Sequence, residues 1–144
     1  MRVHDVLVHK GSAVATIGPR ATVAEVLDSL AHHGIGALVV TGDGRTVEGI
    51  ISERDIVRAL HVRGAELLGM AVEEVMRVDV PTCVPDDQIS TLARTMTEKR
   101  YPHLPVVVDG ILGGIVSLGD VVKSRVDELE TEQHQLVDYL YSAH

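Results

Sequence analysis

Apolar residues recur along this chain with two different spacings, and the spacings alternate in a fixed order. Val23, Val26, Leu27, Leu30 and Ala31 fall three and four apart, which predicts one buried helix face. Thr22 and Glu25 form a capping-box pair at its start, and Gly34 supplies its stop. Ile89, Leu92, Ala93 and Met96 repeat the stripe, with Asp86 or Asp87 as the expected cap. Each helix is followed by two aliphatic runs joined by a Gly-containing turn. These are Ala37–Val40 with Val47–Ile51, and Leu104–Val108 with Leu112–Val116. Unbroken runs rich in Val and Ile predict strands covered on both faces. A shorter strand near a proline precedes each helix, Val14–Ile17 and Thr82–Val84, and a last helix begins at Ser52 or Ser117. With its opening segment (Val3–Leu7 or Val72–Met76) each unit reads β-α-β-β-α, a mixed α/β fold.

The order recurs because the chain is written twice. Thr16, Pro19, Val23, Leu30 and Leu38 match Thr82, Pro85, Ile89, Met96 and Leu104. Gly49-Ile50-Ile51-Ser52-Glu53-Arg54-Asp55 matches Gly114-Ile115-Val116-Ser117-Leu118-Gly119-Asp120. The register slips by one residue in a turn, Gly42–Arg45 against Asp109-Gly110, where a deletion costs little. A unit of about 60 residues buries too little surface to stand alone, so the halves are expected to pack on each other. The expected division is repeat 1 over 1–64, a linker over 65–71, repeat 2 over 72–126 and a C-terminal helical extension over 127–144. Leu67, Leu68 and Met70 predict that the linker packs against the body.

The last helix of repeat 1 stops at Gly64, whereas that of repeat 2 has no such stop and can run to about Tyr141. Val122, Val126, Leu129, Leu136 and Leu140, with Gln133 between, are spaced 4-3-4-3-4, a heptad seam with one polar position. Such a seam either meets a partner helix or folds back on its own domain.

Composition narrows the function. The formal net charge of −8 opposes a nucleic-acid backbone, and three tyrosines with no Phe or Trp leave no base-stacking platform. A small anionic ligand remains compatible with an acidic surface that holds a local basic pocket. The single cysteine, Cys83, lies in an apolar run and reads as a small buried hydrophobe. No apolar signal core or membrane-length stretch is present, so a cytoplasmic protein with no membrane association is expected.

The Ser-x-x-Asp pair at each strand-to-helix junction is the sharpest chemical signal: Ser52 with Asp55, and Ser117 with Asp120. Helix N-termini attract phosphate, and a nearby Asp can accept both hydroxyls of a ribose. The same residues can also act locally, Ser as cap and Asp as its capping-box partner. Two copies after matching strands favour a ligand. Other chemistry is thin. His32 and His33 are adjacent and diverge by roughly 100° on a helix, a poor metal pair. No Gly-rich phosphate loop and no nucleophile–base arrangement stands out, so no metal and no catalytic residue is expected.

With Ile35–Val40, Tyr101–Val107 and the two Gly-hydrophobic-hydrophobic-Ser-x-x-Asp junctions in register, residues 3 to about 126 resemble a tandem pair of cystathionine-β-synthase-type (CBS) domains, a Bateman module. The chain particularly resembles small stand-alone bacterial CBS-pair proteins. That resemblance implies adenosine-containing ligands, AMP, ADP, ATP, NAD(H) or S-adenosylmethionine, in two clefts between the repeats. It places Asp55 and Asp120 on ribose, Ser52 and Ser117 near ribose or phosphate, and Thr16 and Thr82 on the base. Backbone groups around Ala37-Leu38 and His103-Leu104 would meet the adenine edge. It also implies a disk-like homodimer and a downstream protein partner that the sequence does not identify.

The chain departs from the family pattern in two places. Val39 replaces the proline that Pro105 supplies in repeat 2, and Gly119 stands where repeat 1 has Arg54. Arg54 is therefore expected to meet phosphate at the first site, while the second would draw on Lys99, Arg100, His103 or Lys123. The reading is a non-enzymatic nucleotide sensor with unequal clefts. The rivals are a nucleotide-processing enzyme, which a turnover assay would expose, and a structural dimerisation module with degenerate clefts. Mass spectrometry of co-purified ligand would separate the latter.

Overall fold

In the computed structural model, which describes residues 1–142, the elements run in the order that the pattern predicts, with an added opening helix. They are α1 (Val3–Lys10), β1 (Thr16–Ile17), α2 (Val23–His33), β2 (Ala37–Val40), β3 (Gly49–Ser52) and α3 (Glu53–Arg63). Two short 3-10 turns, Gly64–Gly69 and Val72–Glu74, lead to α4 (Ile89–Lys99), β4 (His103–Val108), β5 (Ile111–Ser117) and α5 (Leu118–Ser142). Sheet order is β1-β2-β3 in the first half and β4-β5 in the second. Ala37 pairs with Ser52 and His103 with Ser117, so each hairpin sets the same position opposite its motif serine.

The capping box at α2 forms as expected. Thr22 Oγ1 accepts from the Glu25 N–H at 3.2 Å, and Gly34 closes the helix at φ +63°. The expected cap on α4 does not form. The helix starts after Gln88, and the Asp87 carboxylate accepts instead from the Val84 N–H at 2.9 Å. The strand expected over Thr82–Val84 shrinks to a single bridge, Cys83 to Val106. Cys83 makes both bonds to β4, and the next residues on that side, Pro81 and Pro85, have no N–H to give. The Cys83 thiol is buried, which together with the Asp87 charge pushes its pKa up to about 12, so it behaves as a hydrophobe.

The two cores are not built from one repeat each. Val3 and Val6, from the opening helix of repeat 1, pack with Ile89, Leu92, Met96, Leu104, Val106 and Val116 of repeat 2. Leu67, from the linker, and Val72, from the segment that opens repeat 2, pack with Val23, Val26, Leu30, Leu38 and Ile51 of repeat 1. Backbone bonds fix both exchanges. The Val3 N–H donates to the Asp87 carbonyl and the Ile89 N–H to that of Met1, both at 3.0 Å. The Val23 N–H donates to the Met70 carbonyl at 3.0 Å and the Val72 N–H to that of Ala21 at 2.8 Å. Of the linker's apolar residues, Leu67 is fully buried and Met70 packs against the core, but Leu68 stays exposed.

Helix α5 does not fold back. Val121 and Ser124 bury its first turns, while Val122, Val126, Leu129, Leu136 and Leu140 are each 46–60% exposed. The seam is uncovered along the described length of the helix.

Each exchanged segment crosses the last strand of its host at the motif glycine. A Cβ on Gly49 would lie 2.5 Å from the Arg77 carbonyl oxygen and 2.9 Å from Met76 Sδ. A Cβ on Gly114 would meet only the Leu7 side chain, at 2.8 Å. Backbone cannot yield as a leucine tip can. Gly49→Ala should therefore destabilise the protein by about 1–3 kcal/mol or more, and Gly114→Ala by clearly less. Chemical denaturation of both variants checks the order, and equal losses would contradict the crossing geometry.

Candidate functional site: two unequal clefts between the repeats

A cavity of about 490 Å³ opens where the β3–α3 junction of repeat 1 faces the α4–β4 junction of repeat 2. Ser52, Arg54, Asp55 and Arg58 line it from one side. Met96, Thr97, Arg100, Tyr101, Pro102 and His103 line it from the other, and Arg77 joins them. The Ser-x-x-Asp motif takes the local form first. Ser52 Oγ accepts from the Asp55 N–H at 3.3 Å, and Asp55 Oδ2 accepts from the Ser52 N–H at 3.0 Å and its hydroxyl at 2.9 Å. Ser117 and Asp120 make the same backbone bonds, at 3.1 and 2.8 Å. Capping holds each carboxylate in one orientation, and at Asp55 it leaves Oδ1 for a different partner.

That partner is a base on the exchanged segment. Arg77 Nε donates to Asp55 Oδ1 at 3.0 Å, with the Asp55 side chain only 8% exposed. Its guanidinium also lies over the Tyr101 ring, 4.9 Å from the centroid, and reaches the Arg100 carbonyl at 3.4 Å. At the second acid, Lys10 Nζ donates to Asp120 Oδ2 at 2.6 Å and to the Ile115 carbonyl at 3.0 Å. Each pair crosses the repeat boundary, and the two run in opposite directions. Sequence reading missed both bases. Their signal was positional: each ends or follows an opening segment, Lys10 the first and Arg77 the second.

The expected residues divide between the clefts differently from the expectation. Arg100, expected beside Asp120, lines the cavity of Asp55, because that cleft takes its far wall from the other repeat, while His103 lines the same cavity and also lies close enough to Asp120 and Lys10 to feel both charges. Lys123 does lie near Asp120, in a cavity of about 250 Å³ that Lys10 and Asp127 also line. Ala37, Leu38 and Leu104 are buried in their strands, and Thr16 and Thr82 lie exposed on the segments before α2 and α4. None of these five lines the Asp55 cavity.

The clefts also differ in charge. The first collects Arg54, Arg58, Arg77 and Arg100 around one carboxylate. At the positions matching Arg54, Arg58, Arg100 and Tyr101, the second has Gly119, Lys123, Gly34 and Ile35. Glu53, at the position matching Leu118, puts a negative charge where the first cleft has an apolar side chain. Among the described residues no cluster of His, Cys, Asp and Glu could hold a metal ion, and no helix is long and apolar enough to cross a membrane.

This architecture defines a tandem regulatory module with two inter-repeat clefts, and the chain belongs to the CBS domain family, whose model matches residues 3–62 and 72–127. It is similar to a CBS-domain-containing protein of Agrobacterium tumefaciens in solved structure. That match has a TM-score of 0.84 and 41% identity, over 87% of this chain and 99% of that one. A Methanocaldococcus jannaschii protein, described as a proposed archaeal homologue of γ-AMPK, matches with a TM-score of 0.72 and 26% identity. That match covers 78% of this chain and 44% of the other. Among curated proteins, the mitochondrial CBS domain-containing protein CBSX3 of Arabidopsis thaliana is 34% identical over 83% of this chain. The chain spans 60% of that relative's length.

The site's titration has a defined sign. Burial pushes the His103 pKa down, the nearby Lys10 charge adds to this, and Asp120 and Glu53 oppose it. Burial acts to raise Asp120, but the Lys10 and Ser117 hydrogen bonds and the Lys10 charge outweigh it and hold the carboxyl below its ordinary value. Both groups are depressed in the fold, so both contribute stability above their ordinary pKa and lose it as pH falls. Melting temperature should therefore drop in two stages, from about pH 6.5 for His103 and from about pH 4 for Asp120. His103→Asn should remove the upper stage and Lys10→Met the lower. Thermal melts across that range test it, and a flat profile would remove both assignments.

Proposed function

We propose that the protein is a non-catalytic sensor that binds an adenine nucleotide, AMP, ADP or ATP, or NAD(H), in the cleft built on Asp55. A weaker or different adenosyl ligand, S-adenosylmethionine included, would occupy the cleft built on Asp120. The observation that carries this reading is a capped, buried carboxylate facing a cavity that holds four arginines, a pairing suited to a ribose at one end and phosphates at the other. Arg54 and Arg58 sit on the first turns of α3, where the helix dipole adds to their charge. The γ-AMPK likeness described for the archaeal neighbour supports the ligand class. The ligand would act by favouring one relative placement of the two repeats, to the extent that it binds that placement more tightly. The sensor would work in the cytoplasm, where such nucleotides are abundant, and report to a protein partner. Calorimetry with AMP, ATP, NADH and S-adenosylmethionine, after native mass spectrometry of the purified protein, tests the class directly.

Asp55→Asn keeps an acceptor for the Ser52 cap but removes the charge. It should weaken AMP binding about tenfold to a hundredfold, the loss expected of one charge-assisted hydrogen bond. Unchanged AMP affinity in Asp55→Asn would overturn the ribose assignment.

The uncovered seam on α5 supports a homodimer in this reading. Each apolar side chain buried there would contribute about 1.5–3 kcal/mol. Replacing Leu129, Leu136 and Leu140 together with Ser should weaken self-association measured by sedimentation. A triple variant as tightly associated as the parent would place the dimer contact elsewhere.

A further inference from the structure

We propose that Arg77 sets the ligand selectivity of the first cleft, by guarding Asp55 against any ligand that cannot offer the guanidinium an anion in exchange. This rests on the nucleotide reading above and specifies what that cleft rejects.

Both oxygens of Asp55 carry donors. Oδ2 takes the Ser52 N–H and hydroxyl, bonds that belong to the helix cap. Oδ1 takes Arg77 Nε. A ribose diol brings two donors of its own, but without undoing the α3 cap only one lone pair on Oδ1 is open beside Arg77, so both donors can be satisfied only if Arg77 gives way. The diol therefore competes with Arg77. An uncharged diol exchanges a charge-assisted bond for neutral ones and leaves a half-buried guanidinium without its carboxylate, a poor trade. A phosphate on the same ligand reverses the balance, because Arg77 can pass from one anion to another within the same cavity. Arg54, Arg58 and Arg100 line that cavity too, so the anion has a place to sit. The Arg77 backbone is held independently. Its N–H donates to the Ile50 carbonyl at 2.9 Å and its carbonyl accepts from the Ile50 N–H at 3.1 Å, so the side chain can shift without moving the segment. The cation–π contact with Tyr101 gives the guanidinium a second support through the exchange.

The test measures AMP, adenosine and 2′-deoxyadenosine binding by calorimetry, in an Asp120→Asn background that removes the acid of the second cleft. Arg77→Met should weaken AMP about tenfold or more and strengthen adenosine by about tenfold, the release of one charge-assisted competitor. Deoxyadenosine, which lacks the diol, should not gain. Arg77→Leu also removes both the donor and the charge. It should repeat the Arg77→Met pattern, so the proposal stays testable if Arg77→Met does not fold. Adenosine affinity that falls with AMP, or does not change, in the folded variants would overturn the exchange while leaving the nucleotide reading intact. Failure of AMP to bind the Asp120→Asn parent and the unmutated protein alike would overturn both.

Discussion

Neither repeat finishes its own core, and the rest of the structure follows from that exchange. The helix that opens repeat 1 lays Val3 and Val6 into the second core, while Leu67 and Val72 close the first. A sixty-residue unit cannot bury enough apolar surface alone, and trading segments couples the two shortfalls. Once each opening segment lies on the other repeat, a base at its end is carried across the boundary to the host's motif carboxylate. The cross-boundary pairs Arg77–Asp55 and Lys10–Asp120 are thus consequences of how the cores are completed. The motif glycines follow from the same crossing, since Gly49 is where the incoming backbone passes too close for a Cβ.

Pseudo-symmetry sets the stage, and individual substitutions break it. The same backbone bonds cap α3 and α5, and the same hairpin register presents Ser52 and Ser117. Yet one cleft holds four arginines while the other has glycine where Arg54 and Arg100 stand and lysine where Arg58 stands. A duplicated scaffold allows this cheaply. Cleft residues such as Arg54, Arg58 and Arg100 lie outside both cores, so changing them leaves the packing of Leu38, Ile51, Leu104 and Val116 intact.

Much of this was legible from residue order because local rules governed it. Thr22 and Glu25 cap α2, Gly34 ends it in the left-handed region, and the Val- and Ile-rich runs form the central strands. Ser52 with Asp55 was readable both as cap and as candidate ligand group, and the cap is formed. What escaped was non-local. Asp87 could not be known to spend its carboxylate on Val84 rather than on α4. Arg77 and Lys10 carried no motif and acquired their roles only when the chain brought distant segments together. Arg100 lines the cavity of Asp55 and not that of Asp120 for the same reason: a linear reading groups residues by repeat, whereas the fold groups them across repeats.

The exchange also orders events as the chain is made. The first core can close once the segment through Val72 has emerged, using only residues already synthesised. The helix around Val3 is made well before its host, Ile89 to Val116, so it must wait with Val3 and Val6 exposed. During that interval its apolar face has no partner. It is the natural point for a chaperone to hold, or for two chains to exchange helices and emerge entangled.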